Sequence, residues 1–352
     1  MRQEINRLES ILIIKLSAIG DVVHTLPLLE ILRKNFPESR IDWLIEEEAG
    51  RIIDYHSCVD HVIVSRRKSW QKRIFRISEI PDVAREIGRF LNRLRSAKYE
   101  LVIDLQGLFK SGLLTGLSKG ERKIASTGGK EASRLFLTEK PYPVNYSEHA
   151  IERYLKVIGY LGCRMDSWEG AIPVRESDKK PIDLFFRKNN IQDQRAIAIN
   201  PMARWKTKLW EPDKFSLLAD RLQKELSCRI IFTGSKDDRP HVSNILDQTK
   251  NGPFNLAGRT SLKELAYLYS KCRVLISTDT GPMHMAAAMG CPVVAIFGPT
   301  APWRTGPYGK GHKIIRKEMD CSPCFKKECR DITCMRDITV ERVFESVKQL
   351  LK

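Results

Sequence analysis

Residues 274–309, VLISTDTGPMHMAAAMGCPVVAIFGPTAPWRTGPYG, constrain the fold of this chain more than any other stretch. They open with an apolar run, 274–276, that is far too short for a membrane span and well suited to a buried strand. A polar turn follows over 277–281, with Pro282 where a first helical residue would sit. Proline is tolerated there because its missing N–H would be unpaired anyway. Residues 283–289 then read as a helix of small and apolar residues, stopped by Gly290. A second apolar run, 293–297, ends at Gly298 and Pro299. Strand, tight turn, helix and strand make a βαβ unit. Its turn presents backbone N–H groups at a helix N-terminus, on the carboxyl edge of a parallel sheet, where phosphate binds without a bulky cation. An ordinary helix-capping turn has the same local pattern, so the remaining chain decides between the two.

At 352 residues the chain is too long for one small core and predicts two α/β domains. With 42% hydrophobic residues it is globular. The opening MRQEINRLES is charged and leads directly into a strand, which predicts no secretion signal. No apolar run reaches the roughly 18 residues of a transmembrane helix, so the expectation is a soluble protein, peripheral to a membrane at most. A net charge of +17 points to an anionic partner: nucleic acid, a phospholipid surface or a phosphorylated glycan. Nucleic acid fits least, because there is no zinc-finger spacing, no RNP-like aromatic strand and no heptads beside a basic region. Nine cysteines in a chain this long do not make a disulfide scaffold. Cys58, Cys163, Cys228, Cys272 and Cys291 fall in or beside regular elements, as reduced thiols do, which predicts a cytoplasmic protein.

The strand–turn–helix pattern recurs along the chain. Residues 11–16 form a β-type run that breaks at the small residues 17–21. A helical pattern then runs from about 22 to 35 on Val22, Leu26, Leu29 and Leu32. Further strands are predicted over 41–45, 59–65, 101–105 and 123–125, with helices at about 80–97, 108–117 and 148–161. Between 163 and 181 the alternation lapses into polar residues with Gly170, Pro173 and Pro181, which marks a domain boundary. A second series follows, with strands at 196–200, 229–233 and near Asn255, and helices at 213–226, 239–249 and 261–271. A last helix is predicted at about 340–351 on Val340, Val343, Val347 and Leu350. This alternation predicts two doubly wound parallel sheets, that is, two Rossmann-like α/β domains. It also predicts a cleft between their carboxyl edges in which a large donor and a large acceptor meet.

Four stretches fall on loops at those edges. K-L-S-A-I-G-D-V-V-H-T-L-P (15–27) follows the first strand, and D-L-Q-G-L-F-K-S (104–111) follows a later strand of the same half. N-P-M-A-R-W-K-T-K-L-W (200–210) opens the second half, and S-T-D-T-G-P-M-H (277–284) is the turn described above. Together they resemble the heptosyltransferases, inverting glycosyltransferases that move heptose from ADP-heptose onto the lipopolysaccharide inner core. The resemblance covers nearly the whole chain in order. It rests most on S-A-I-G-D-V-V-H-T-L-P paired with D-T-G-P-M-H…F-G-P-T-x-P…G-P-Y-G. It implies a GT-B fold with an acceptor-binding domain over 1–170, a nucleotide-sugar-binding domain over 171–335 and a C-terminal helix over 336–352. It also implies metal-independent transfer from ADP-heptose to the Kdo region of lipid A-linked core, with the enzyme peripheral on the cytoplasmic face of the inner membrane. Transfer onto the first core heptose, use of another nucleotide sugar, and a non-catalytic nucleotide-binding module are the alternatives.

The family pattern then assigns roles. Transfer to a sugar hydroxyl with inversion needs a base, and Asp21, at a helix start, suits it; a helix-capping aspartate would sit there too. Gly20 lets backbone approach closely, Ser17 would hold the acceptor and Lys15 its anionic groups. Gln106, Lys110, Arg66 and Arg67 complete the acceptor set. Lys208, in its K-x-W context, matches the family's diphosphate lysine, with Thr280 and Gly281 supplying backbone N–H donors to the leaving group. The loop over 203–207 is about one residue longer than the family pattern, which leaves Lys206 and Arg204 as sharers of that role. Asp279 and the pair Asp237 and Asp238 stand where the family contacts the donor's sugar and ribose, although the pair also suits simple surface acids. Met283 and His284 join the donor-binding set, and a histidine so placed is as often a packing residue.

Residues 66–98 hold 11 Lys/Arg against 3 Asp/Glu. Trp70, Ile74 and Ile77 at helical spacing predict one apolar stripe among Arg66, Arg67, Lys68, Lys72, Arg73 and Arg76. A solvated charged face has this composition, and so does a segment lying on an anionic membrane; the lipid-linked acceptor favours the membrane. Cys321-x2-Cys324-x4-Cys329-x4-Cys334 could hold zinc or an iron–sulfur centre. Structural metal, loop disulfide and free thiols stay open there, and no catalytic step is expected to depend on them.

Overall fold

A computed structural model describes residues 7–130, 132–192 and 195–352. Residues 1–6, which carry much of the expectation of no secretion signal, lie outside the described residues. Strands such as Ile-Leu-Ile-Ile are apolar on both faces, so they are stable only where helices cover both sides of a parallel sheet. In the first unit, Met1–Pro173, these runs become β1 (Ser10–Ile14), β2 (Arg40–Glu46), β3 (His61–Ser65), β4 (Lys98–Asp104) and β5 (Lys119–Ala125). All pairs are parallel, in the order β3-β2-β1-β4-β5. In the second unit, Val174–Lys352, the strands are β6 (Ala196–Asn200), β7 (Arg229–Phe232), β8 (Phe254–Asn255), β9 (Val274–Thr278), β10 (Val293–Phe297) and β11 (Lys313–Arg316). Their order is β11-β10-β9-β6-β7-β8, again all parallel.

In such a sheet, the loops at the carboxyl ends part where the strand order reverses, and a crevice opens there. The reversal falls between β1 and β4 in the first unit and between β6 and β9 in the second. The four motif-bearing loops leave the ends of these same four strands.

Leu12, Ile14, Leu44, Val83, Phe90, Leu94 and Val102 build the core on one side of the first sheet. Ile197, Phe215, Leu218, Phe232, Ile276 and Ile296 build the second, where Val343, Phe344 and Val347 of the last helix, Val340–Leu351, join them. Each such side chain contributes about 1.5–3 kcal/mol by leaving water. Trp210 is buried in the same core, and its indole N–H donates to the Ile338 carbonyl at 2.9 Å, fixing the end of the 200–210 loop.

Several elements differ from their predicted form. The helix expected over 22–35 is two helices, Ile19–Val23 and Leu26–Asn35, with Pro27 in the first turn of the second, where no N–H is missed. Pro181 lies inside the helix Glu176–Lys188 rather than in a linker; that helix starts early because Asp178 accepts from the Arg175 N–H at 2.8 Å.

The basic segment departs most. Only Arg67–Arg73 is helical, and a 3₁₀ turn, Ile77–Glu79, leads into the helix Ile80–Arg95. Trp70 turns inward, with its ring 5.4 Å from Phe90 and its Nε1 donating to Glu86 at 2.9 Å. It therefore shares no stripe with Ile74 and Ile77, which stay exposed with Phe75. Burial of the indole is the stronger force, and Glu86 satisfies its one donor. Trp70→Phe is expected to cost about 1–2 kcal/mol of stability in denaturant unfolding, mainly from the lost bond to a carboxylate. Vesicle binding should not change. Among the described residues, no helix is long and apolar enough to cross a membrane.

Candidate active site

At the β1/β4 switch point the chain passes from β1 into the short helix Ile19–Val23, and Asp21 lies in its first turn. The Asp21 carboxylate accepts from the Ala18 N–H at 3.2 Å and from the Tyr154 hydroxyl at 3.4 Å. The Lys15 ammonium stands 4.0 Å away, and the Asp21 side chain remains 41% exposed, open to an incoming hydroxyl.

Lys15 is not at the surface, where an anionic acceptor would meet it. It is 3% exposed, donates to the Leu105 carbonyl at 3.3 Å and lies 5.0 Å from the centre of the Tyr154 ring. Burial pulls its ammonium below the usual lysine range, and Asp21 and Asp104 oppose that pull. Asp104, at the end of β4, accepts from the N–H groups of Gln106 and Gly107 and from the Ser111 hydroxyl. Burial pushes its carboxyl up, against those three donors and Lys15. Burial also pushes the Tyr154 hydroxyl well above the ordinary phenol range, and Asp21 adds to this, so Tyr154 remains a donor.

Gln106, half-buried, has its side-chain oxygen committed to the protein's own backbone. Its Oε1 accepts from the N–H groups of Leu16 and Ser17 at 3.2 and 3.1 Å, tying the loop after β1 to the loop after β4. Ser17 is half-buried and Gly20 buried. Lys110 and Arg67 converge on Glu46, at the end of β2, at 3.1 and 3.0 Å. Burial works to raise the Glu46 carboxyl, but the bonds from Arg67 and Lys110 outweigh it and hold it below the ordinary range. Arg66 pairs with Glu47 at 3.1 Å. The first unit thus gathers Asp21, Lys15, Ser17, Gly20 and Gln106 at the switch point, and Lys110, Arg66 and Arg67 around the end of β2.

In the second unit, β9 ends at Thr278, and Asp279 and Thr280 lead into the helix Gly281–Ala288. Pro282 sits in its first turn, and Gly290, at φ +73°, lets the chain leave the helix as a residue with a Cβ would not. The loop after β6 carries Lys208 on a 3₁₀ turn, Lys206–Lys208. The Thr278 hydroxyl donates to the Met202 carbonyl at 3.0 Å and joins the two loops. Lys208 Nζ lies 2.6 Å from Asp279 Oδ2, and the Thr300 hydroxyl donates to the same oxygen at 2.6 Å. Asp279 is only 7% exposed. The ammonium also stands 4.4 Å from the centre of the Trp205 ring, a cation–π contact that orients it. A fixed cation beside a helix N-terminus is a site for phosphate.

Arg204 and Lys206 are exposed on the same loop, Met283 is buried within the helix, and His284 is buried beside it. Asp238 closes its own turn, accepting from the N–H and hydroxyl of Ser235 at 2.7 Å each, and heads the helix Arg239–Leu246. Asp237 is exposed next to it, beyond the end of β7. Five side chains of these sites go unassigned by sequence: Asp104, Glu46, Tyr154, Trp205 and Thr300. Asp104 and Thr300 lie within the D-L-Q-G and F-G-P-T motifs, so a polar residue at a strand end was the available signal. Tyr154 is 133 residues from Asp21 and carries no local one.

All nine cysteines are free thiols. Burial pushes the Cys334 thiol up, and neighbouring Cys324, Cys321 and Cys329 push it further. Among the described residues, no group of three or more His, Cys, Asp or Glu side chains is arranged to hold a metal ion.

Two Rossmann-like units, each a fully parallel sheet, are the architecture of GT-B-type glycosyltransferases. The chain belongs to glycosyltransferase family 9, the heptosyltransferases, whose family model matches residues 87–333. It is 30% identical over 337 residues to lipopolysaccharide heptosyltransferase 1 of Pseudomonas aeruginosa, covering 91% of this chain and 87% of that protein. The solved structure of a family 9 glycosyl transferase from Veillonella parvula matches with a TM-score of 0.81 at 26% identity, covering 97% of both chains. E. coli heptosyltransferase WaaC with ADP matches with a TM-score of 0.78 at 25% identity, over 97% of this chain and 99% of that one.

Proposed function

We propose that this enzyme transfers heptose, with inversion, from ADP-heptose to the Kdo region of lipid A-linked lipopolysaccharide core. The observation that carries the reading is the division of labour between the two switch points. An open carboxylate, Asp21, stands at one, and a lysine beside a helix N-terminus, Lys208, stands at the other. The sugar and the acceptor are supported by the likeness to lipopolysaccharide heptosyltransferase 1. In this reading Asp21 takes the acceptor hydroxyl's proton as that oxygen bonds to the anomeric carbon. The bond from that carbon to the diphosphate oxygen breaks on the opposite face, and ADP leaves with the electron pair. Lys208 and the N–H groups of Thr280 and Gly281 stabilise the departing charge. Lys15 and Tyr154 orient Asp21, while Ser17, Lys110, Arg66 and Arg67 receive the acceptor's polar and anionic groups. Asp279 and Asp237 serve the donor's sugar and ribose, with Arg204 and Lys206 at its margin.

The test is incubation with ADP-heptose, and with UDP- and GDP-sugars, over Kdo-lipid A and over the same acceptor already bearing one heptose. Transfer from ADP-heptose to Kdo-lipid A supports the reading. Transfer only to the heptosylated acceptor would move it to the second step of the core, and none from ADP-heptose to either would overturn it.

The acceptor is anchored in lipid, and we extend the proposal to the cytoplasmic face of the inner membrane. Phe75 and Ile77 are 87% and 86% exposed, with Ile74 and Ile80 beside them and the cations Lys72 and Arg76 interspersed. An apolar tip ringed by cations suits an anionic bilayer surface. Replacing Phe75 and Ile77 together by Ser is expected to release the protein from anionic vesicles at both low and high salt. Replacing Lys72 and Arg76 by Gln should weaken binding only where charge is unscreened. Sedimentation with vesicles reads both, and a parent protein that stays in the supernatant would leave the segment a solvated face.

A further inference from the structure

The cysteine-bearing segment, residues 321–334, is bonded into the wall of the donor site. The Ser322 hydroxyl donates to the Gly298 carbonyl at 2.7 Å, and the N–H groups of Cys324 and Phe325 both donate to the Pro299 carbonyl, at 3.0 and 2.8 Å. Thr300, the next residue, holds Asp279. On the other side, the Thr207 hydroxyl donates to the Lys326 carbonyl at 2.8 Å, one residue from Lys208. The segment therefore joins the loop that carries Lys208 to the loop whose Thr300 holds Asp279. Its approach is close: a methyl group on Gly298 would come within 2.5 Å of Met335 Sδ and 3.1 Å of Cys334 Sγ.

Lys327 follows directly on that anchor and is exposed. Its Nζ stands 5.7 Å from the centre of the Trp205 ring, the same ring that Lys208 Nζ meets at 4.4 Å. Two ammonium groups thus share one indole. Charge counting makes the second one matter. Lys208 is ion-paired with Asp279, so together they present a net charge near zero to an arriving diphosphate. The helix N-terminus adds only about half a positive charge. A donor carrying two ionised phosphates needs more than that.

We infer that Lys327 is the second ammonium of the diphosphate site, gripping the donor's phosphates with Lys208 across Trp205. The cysteine segment is the mount that brings it there. This rests on reading the second unit as the ADP-sugar site.

The experiment is calorimetric titration of ADP and AMP into the full-length protein and its variants, at low and high ionic strength, with the KM for ADP-heptose measured alongside. Lys327→Gln is expected to raise the Kd for ADP by about 5-fold at low salt, the upper end for an exposed charge contact. The loss should shrink at high salt and be smaller for AMP, which has one phosphate fewer. KM for the donor should follow Kd, and Lys327→Arg should restore both. Arg330→Gln removes the same charge from the same segment and should leave ADP binding unchanged. If Lys327→Gln matches Arg330→Gln while Lys208→Ala weakens ADP binding, the proposal falls and the donor-site reading stands. If neither lysine variant weakens ADP binding, the donor-site reading falls with it.

Discussion

Asp21→Asn is expected to lower turnover by about 10²-fold or more, the usual scale for a lost general base, while ADP affinity and fold are retained. The substitution separates the two roles open to this residue. Asp21, third in its helix, accepts the N–H of the capping residue Ala18, and the amide oxygen of asparagine can accept the same bond. A purely structural Asp21 would therefore leave both melting temperature and turnover nearly unchanged. A base would lose turnover alone, because an amide cannot take the acceptor's proton. Lys15 and Tyr154 bear on the outcome, since both approach the carboxylate, Lys15 from a buried position and Tyr154 from a half-buried one. Tyr154→Phe removes one orienting donor and should lower kcat by a few-fold, with the KM for donor unchanged. Steady-state kinetics at saturating acceptor, beside ADP titration, distinguish these results, and unimpaired turnover in Asp21→Asn would remove it from the chemistry.

Lys208→Ala should weaken ADP binding by roughly 10- to 100-fold, more than one exposed contact would account for. The variant loses the ammonium and also uncovers Asp279, whose buried carboxylate keeps the Thr300 hydroxyl and then faces the phosphates. Repulsion from that carboxylate should supply part of the loss. Adding Asp279→Asn to Lys208→Ala should therefore recover part of the affinity, a coupling that a double-mutant cycle measures. The loss should also diminish at high ionic strength. Arg204→Ala and Lys206→Ala, both on exposed side chains, should cost much less. If either costs more than Lys208→Ala, the leaving-group role belongs there instead.

Both sheets were legible because their central strands are continuous apolar runs, such as residues 11–14 and 293–297, each closed by a small-residue turn. Parallel strands covered on both faces leave that signature in any sequence. The switch-point loops were legible for a related reason: small and polar residues at the end of such a run have nothing to do for the core. Direction was not legible. Lys15 and Gln106 have the right chemistry for holding a ligand, yet one is buried against Asp21 and Leu105, and the other pins two backbone N–H groups. A sequence gives the type of a side chain and not the way it points. Trp70 failed similarly, since helical spacing with Ile74 and Ile77 carries no trace of Glu86 or Phe90, the partners that draw it inward. Tyr154 and Lys327 reach their sites only through tertiary structure, from positions far along the chain.

The packing of the last helix sets a timetable for synthesis. The first unit has every strand and helix it needs by Pro173, whereas the second places Val343, Phe344 and Val347 in its core. At roughly 5–20 residues per second, a ribosome needs on the order of 9–35 s to make residues 174–347. During that time the first unit can fold while the second unit's central strands, β6 among them, wait with apolar faces bare. Those faces are covered only once residues 343–347 have left the ribosome, so the second unit keeps apolar surface bare for longer while it is made.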